Sequence, residues 1–108
     1  MRVALILLLL GSVAASAAEP DRLGRGKAVF DYWCQACHGR GADKPGTVAL
    51  QVKYKGQLPA PLEERHDLGP DLVKSAVRRG ISIMPFFRKT EISDADLDAL
   101  AAYLARKR

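Results

Sequence analysis

Residues 34–38 have the sequence Cys-Gln-Ala-Cys-His, and this motif limits what the chain can fold into more than any other feature. Two thiols at this spacing can each add across one vinyl group of a haem, because the three-residue step brings both sulfurs to the same porphyrin edge. The following histidine then lies beneath the ring, where an imidazole nitrogen can bind the iron. The motif predicts one covalent haem c, held by Cys34 and Cys37, with His38 as iron ligand.

A pair of cysteines at this spacing also suits a thioredoxin-like redox couple, half of a zinc site or a disulfide. Zinc would need two further soft ligands, but His66 is the only other histidine and the chain has no third cysteine. A thioredoxin-like couple would need a βαβ pattern around it, which this sequence does not show. Haem attachment is the favoured interpretation.

The first 18 residues have the pattern of a secretory signal peptide. Met1 and Arg2 form a short positive region, residues 3–10 are all apolar, and residues 15–17, Ala-Ser-Ala, form a small-x-small cleavage site. An uncleaved membrane anchor is the alternative, but the apolar run is short for a membrane span. We predict a cleaved signal peptide over 1–18 and a periplasmic domain over 19–108, without a stable membrane span in its mature form.

Met84 is the only methionine besides the initiator, and Pro85 follows it. A thioether sulfur is a soft, neutral ligand, and iron ligated by His and Met has a raised reduction potential. Proline has a fixed φ and no N–H, so Pro85 stiffens the segment that delivers the sulfur. Met84 is therefore the predicted sixth ligand, and a core-filling methionine is the alternative.

His66 is the rival sixth ligand, and it would lower the potential of the iron. Charged residues flank it on both sides, at 63–65 and at Asp67. Such a segment is typical of a solvated turn rather than of a wall against a haem. An open iron that binds a small molecule or peroxide would also need a distal base, and His66 is the only residue available for that role.

Size and charge restrict the function further. About 90 residues remain after signal cleavage, enough for one small domain whose core a haem would complete. We therefore expect folding and haem binding to be coupled, and the apo-protein to be largely disordered.

The formal charge of +5 suits electrostatic steering towards an acidic partner. The basic residues are scattered among twelve acids, which argues against nucleic-acid binding.

The apolar pattern predicts an all-α fold with three helices. The first runs from about Asp21 into the haem motif, and Gly26 inside it indicates a close packing partner. The second begins at Pro70, a favoured first-turn residue, and Gly80 is placed to end it.

The third helix begins with a clear capping pattern. Ser93 is a natural N-cap with Asp96 three residues later, and Ile92 and Leu97 have the spacing of a hydrophobic staple. The basic residues at 106–108 lie at the negative end of its dipole.

Between the haem motif and the second helix, residues 39–69 are rich in glycine and proline. We predict a long loop that wraps a haem edge, since loops of this length usually have a function. Val48, Leu50 and Val52 are expected to form a short strand or to contact the ring.

Together these motifs resemble the class I c-type cytochromes, and the resemblance spans the whole mature chain. It implies that the first and last helices cross at right angles, with Gly26 and Phe30 meeting Leu100 and Tyr103. It also implies a proline carbonyl that accepts a hydrogen bond from the proximal histidine. Pro45 is the candidate, although the following Gly-Thr-Val departs from the commoner pattern.

Residues 80–93 are similar to a narrower group, the cytochrome subunits of p-cresol methylhydroxylase and of the eugenol and alkylphenol hydroxylases. That resemblance implies an electron-accepting subunit, without a catalytic site of its own, that docks on a flavoprotein. Its electrons would pass on to a cytochrome, a cupredoxin or an oxidase. The alternatives are a freely diffusing cytochrome that serves a terminal oxidase and an open-iron haem enzyme or sensor.

The predicted docking surface surrounds the expected exposed haem edge. Its apolar centre comprises Ala36 and Ile83 with Pro85, and at least one of the phenylalanines at 86–87 is expected to turn inwards. The basic pair at 88–89 supplies the charged rim that orients an encounter.

Overall fold

The computed structural model describes residues 18–106, which are all-helical as predicted. A single β-bridge between Ile81 and Met84 is the only extended pairing among these residues. The elements, in chain order, are α1 (Ala18–Trp33), α2 (Gln35–His38), α3 (Pro45–Tyr54), a 3-10 turn (Leu62–Glu64), α4 (Pro70–Arg79) and α5 (Asp94–Ala105).

The most extensive helix–helix interface joins α1 to α5, and it depends on Gly26. A Cβ atom at Gly26 would lie 2.6 Å from the Cβ of Tyr103 and 2.7 Å from the carbonyl carbon of Ala99. One turn later, the rings of Phe30 and Tyr103 have their centroids 6.2 Å apart. The predicted approach of Gly26 and Phe30 to Tyr103 is confirmed, and Ala99 is a neighbour that the sequence did not indicate.

The hydrophobic core is formed mainly by α1, α4 and α5. Phe30, Ile92 and Leu100 are its largest fully buried side chains. Trp33, Cys34 and Phe87 pack against this core while remaining partly exposed. The haem motif and the segment after α4 are therefore anchored to the same core.

The start of α5 follows the predicted capping pattern in part. The Ser93 hydroxyl accepts a hydrogen bond from the Asp96 backbone N–H at 3.1 Å, and Ile92 and Leu97 are both buried. The Asp96 carboxylate, however, accepts a hydrogen bond from Arg25 Nε at 2.6 Å. The reciprocal side-chain bond of a capping box is thus replaced by a tie to α1.

Helix α4 has the predicted limits. Pro70 occupies its first turn, where a missing N–H costs nothing. Gly80 ends it with φ of 72°, a conformation that glycine adopts without steric cost.

The prediction of a loop or a strand around residues 48–52 is wrong, because Pro45–Tyr54 forms α3. Pro45 is a favourable first helical residue, and residues 47–54 contain neither glycine nor proline. The β-branched Val48 and Val52 lower helix propensity only slightly, so neighbouring structure overrides it. Lys55, with φ of 51°, ends the helix in the left-handed conformation.

The segment around His66 is also not a simple solvated turn. His66 is exposed, but the Arg65 side chain is only 6% exposed and forms an ion pair with Asp67. The guanidinium of Arg65 also lies 4.9 Å from the centre of the Tyr54 ring. Burial with a paired carboxylate makes Arg65 a structural residue that joins the end of α3 to this turn.

The predicted signal peptide lies almost entirely outside the described residues, since residues 1–17 are not among them. In the described part of the chain, no helix combines the length and apolar character that a membrane crossing requires.

Candidate functional site

The two motif cysteines lie where α1 passes into α2. The Cys34 N–H still donates to the Phe30 carbonyl at 2.9 Å, and the Cys34 carbonyl accepts from the N–H groups of Cys37 at 3.1 Å and His38 at 2.8 Å. These short-range bonds form one tight turn. The turn keeps both thiols and the imidazole within a few residues of the buried end of α1.

The two motif cysteines differ in exposure. Cys34 is partly buried and Cys37 is exposed. Burial, with a smaller contribution from the Cys37 thiol, raises the pKa of Cys34 to about 12. Burial thus disfavours the thiolate form of Cys34.

His38 is partly buried, and its Nδ1 atom is fully buried without a hydrogen-bond partner in the described structure. Burial lowers the pKa of His38, which favours the neutral imidazole that ligates metals. A buried ring nitrogen without a partner is costly, so it calls for an explanation. Nδ1 faces the protein, so a metal-ligand role for this ring would fall to Nε2.

The start of α3 packs against the motif. A Cβ atom at Gly46 would lie 2.8 Å from His38 Cε1 and 2.9 Å from His38 Nδ1, so only glycine fits there. Beside it, the buried Thr47 hydroxyl donates to the Gly39 carbonyl at 2.6 Å. Gly46 thus packs against the imidazole, and Thr47 joins the start of α3 to the residue after His38, roles that the sequence pattern did not indicate.

The expected hydrogen bond from His38 to the Pro45 carbonyl is absent from the structure, since His38 Nδ1 has no partner there. Pro45 is the first residue of α3. Its carbonyl therefore points along the helix towards the N–H four residues on. The residue after Pro45, Gly46, contacts the ring instead.

Met84 lies in a short, well-defined turn after α4. The N–H of Met84 donates to the Ile81 carbonyl at 2.9 Å, and the Ile81 N–H donates to the Met84 carbonyl at 3.2 Å. Ser82, within the turn, has φ of 54°. A Cβ atom at Gly80 would lie 2.5 Å from the Met84 carbonyl oxygen, so Gly80 permits the turn to fold back on the helix end.

The turn is closed at its base on α4 and anchored to α1. The N–H of Phe87 donates to the Val77 carbonyl at 2.7 Å. The Phe87 ring lies edge-on to Trp33, with centroids 5.7 Å apart. Trp33 directly precedes Cys34, so the segment with Met84 and the segment with the thiols share one aromatic contact.

The two rivals for the sixth ligand differ in their settings. Met84 is partly buried in a hydrogen-bonded turn, whereas His66 is exposed. Among residues 18–106, no group of three or more His, Cys, Asp or Glu side chains could hold a metal ion.

Exposed apolar side chains concentrate in α3 and in the turn around Met84. Val52 on α3 is 71% exposed, and Ile81 in the turn is 54% exposed. Thr47 is the only buried residue of α3. A large apolar group bound at His38 would cover such surface, so these residues fit a haem.

The predicted docking surface is exposed in the main. Ile83 and Phe86 are 89% and 58% exposed, while Phe87 turns inwards as expected for one of the pair. On the rim, Arg88 forms an ion pair with Glu91 and Lys89 pairs with Asp94. Both basic side chains remain about three-quarters exposed, but their charge is partly balanced.

Comparison with known proteins identifies the relatives of this chain. The family described as "Cytochrome C oxidase, cbb3-type, subunit III" matches residues 21–104. The "Cbb3-type cytochrome c oxidase subunit CcoP" of Azospirillum sp. (strain B510) is 33% identical over 97 residues, which cover 86% of this chain. The chain spans about a third of that relative, 31% of its length. No solved structure matches.

Proposed function

Because the chain belongs to the cytochrome c family of cbb3-type oxidase subunit III, we propose that it is a periplasmic electron carrier with one covalently attached haem c. The observation that carries this proposal is the motif at 34–38, whose His38 imidazole is partly buried and packed against Gly46. Export by a cleaved signal peptide over residues 1–18 is part of the proposal, since haem c is attached outside the cytoplasm.

Four residues of this chain have roles in the proposal. Cys34 and Cys37 would anchor the haem, and His38 and Met84 would bind its iron. A bound haem would supply the exchange of one electron at its iron. With His38 and Met84 both bound to the iron, the protein would have no catalytic site of its own. The neutral imidazole that burial favours at His38 is the form that this ligation requires.

The choice of partner is the finer part of the proposal. The named relative is a subunit of a cbb3-type cytochrome c oxidase, and this favours a carrier that serves a terminal oxidase. A flavoprotein that oxidises alkylphenols, suggested by the similarity of residues 80–93, has no support from these relatives and is the second candidate. Size-exclusion chromatography of the native protein separates the two, because a flavoprotein subunit would elute as a stable complex.

Replacing Met84 with Ala tests the iron ligation. We expect the weak red sulfur-to-iron absorption band of the ferric protein to disappear. The reduction potential should fall by on the order of 0.1 V, because the soft ligand that stabilises Fe(II) is lost. His66→Ala should leave both unchanged. If the unaltered protein lacks the red band, and His66→Ala shifts its reduction potential while Met84→Ala does not, the sixth ligand is His66.

Reversing the charge of the rim tests the docking surface. The double variant Arg88→Glu, Lys89→Glu should slow electron transfer to purified cbb3-type oxidase at low salt, and the difference should shrink at high salt. We expect an effect of only a few fold, since Glu91 and Asp94 already balance part of the charge.

A matched control carries the same charge change on the exposed end of α3, as Lys53→Glu with Lys55→Glu. The two double variants have equal net charge, so any difference in stopped-flow rates reports the location of the surface. Equal rates for both double variants at every ionic strength would place the docking surface elsewhere.

A further inference from the structure

We propose that Arg78 is a positioning residue that closes the segment carrying Met84 and thereby holds the sixth iron ligand in place. This inference rests on the proposed function, because it takes Met84 to be a ligand. It concerns a residue of α4 that lies outside the haem motif and outside the Met84 turn.

The Arg78 guanidinium joins three groups from the segment that follows the turn. Its Nη1 donates to the Phe87 carbonyl at 3.1 Å, and its Nη2 donates to the Ile92 carbonyl at 2.9 Å. Nη2 also lies 2.9 Å from an Asp94 carboxylate oxygen. The Arg78 side chain is only 24% exposed, so these contacts are partly shielded from water.

Both carbonyls lie outside any helix and need a donor from elsewhere. Ile92 is fully buried, which makes an unsatisfied acceptor at this point expensive. Arginine meets this need because its planar fork reaches several acceptors at once, whereas a lysine ammonium is a single point charge. Arg78 therefore holds residues 87–94 against the end of α4.

The position of Arg78 along the chain links it to Met84. The Val77 carbonyl accepts from the Phe87 N–H at 2.7 Å, and the next residue, Arg78, donates to the Phe87 carbonyl. Both backbone groups of Phe87 are thus bound to adjacent residues of α4. Residues 80–86 form a loop that is closed at this point, and Met84 lies inside it.

Closing the loop in advance lowers the entropy lost when Met84 binds iron. An iron ligand supplied by a loosened loop is present for a smaller fraction of the time, and a competing ligand then binds more easily. The affinity of a competitor therefore measures how well the loop is held.

Arg79 is the matched comparison for Arg78. It is the next residue of α4, has the same charge and lies in the same last turn, near the negative end of the helix dipole. Arg79 is exposed, and no hydrogen bond or ion pair of its side chain occurs within residues 18–106. A role that depends only on charge near the helix end would be shared by both arginines.

The experiment is a titration of the ferric full-length protein with imidazole, a neutral ligand that competes for the iron. We expect Arg78→Ala to raise the apparent affinity for imidazole by about tenfold or more and to weaken the red band, as loss of charge-assisted bonds predicts. Arg78→Lys should show a smaller change in the same direction. Arg79→Ala should match the unaltered protein.

A double-mutant cycle shows whether the effect passes through Met84. In a Met84→Ala background the loop no longer delivers a ligand, so Arg78→Ala should then leave imidazole affinity unchanged. An equal rise in affinity in both backgrounds would overturn the proposal, because Arg78 would then act on access to the iron. Unchanged affinity for Arg78→Ala alone would overturn it as well.

The same set of variants separates this inference from the proposed function. If Met84→Ala leaves the red band and the imidazole affinity unchanged, Met84 is not a ligand and both proposals fail together. If Met84→Ala has its expected effect and neither Arg78 variant does, only the role of Arg78 is refuted. Should Arg78→Ala fail to fold, Arg78→Lys against Arg79→Ala decides the matter.

Discussion

Gly26→Val is expected to destabilise the protein severely. A side chain at this position would overlap the backbone of Ala99 and the Cβ of Tyr103. Neither group can move without separating α1 from α5, which share the most extensive interface of the described chain. Overpacking of this kind costs ~1–3 kcal/mol, and more where backbone must shift.

A loss of about 3 kcal/mol would lower the melting temperature of a domain of this size by at least about 10 °C. Thermal unfolding followed by circular dichroism measures this fall in melting temperature. The iron ligands should stay unchanged below the transition. Gly24→Ala is the matched control, since a Cβ atom at Gly24 would meet nothing within 4 Å. That variant should be neutral or stabilised by up to ~1 kcal/mol, because alanine favours the helix. Equal melting temperatures for both variants would contradict the close packing of α1 against α5 at Gly26.

Replacing both motif cysteines with serine is expected to abolish covalent haem attachment. Acid-acetone extraction should leave haem on the unaltered protein and remove it fully from the Cys34→Ser, Cys37→Ser variant, because serine forms no thioether. The mass of the unaltered polypeptide should exceed the mass of the chain by one haem. Gln35→Ala, within the same turn, should retain its haem. Extraction of haem from the unaltered protein would refute the attachment.

The same double variant tests the coupling of folding to the cofactor. Its far-ultraviolet circular dichroism should show a large loss of helix, since a chain of this size buries too little surface by itself. Full helicity without haem would mean that the core of α1, α4 and α5 is sufficient to fold the chain without the cofactor.

Much of the fold could be predicted where local signals and packing agree. The limits of α4 follow from Pro70 and Gly80, and the start of α5 from the hydroxyl of Ser93. Gly26 indicated a close contact, because glycine inside a helix is costly unless something approaches it. For each of these residues, its own conformational preference or capping group predicts the structural feature that it forms.

Helix α3 was missed because its own signals conflict. Val48 and Val52 favour strands, and glycines at 46 and 56 flank a stretch that contains few buried residues. Its register is set by contact with the motif, through Gly46 at the His38 ring and Thr47 at the Gly39 carbonyl. Such contacts join elements and leave no periodic pattern in the sequence.

The charged residues were the least predictable part of the candidate site. Arg65 and Arg78 look like ordinary surface residues in the sequence, yet each is largely buried and holds separate segments together. Which carbonyl or carboxylate an arginine reaches depends on the tertiary fold. A count of charges gives no indication of it.

The pairing of α1 with α5 brings together opposite ends of the described chain. Closing a loop of this length costs ~4 kcal/mol of chain entropy, which the contacts between the two helices must repay. The turn at 34–38, in contrast, is built from bonds between residues a few positions apart. The two thiols and the imidazole can therefore come together in this turn before the two terminal helices meet.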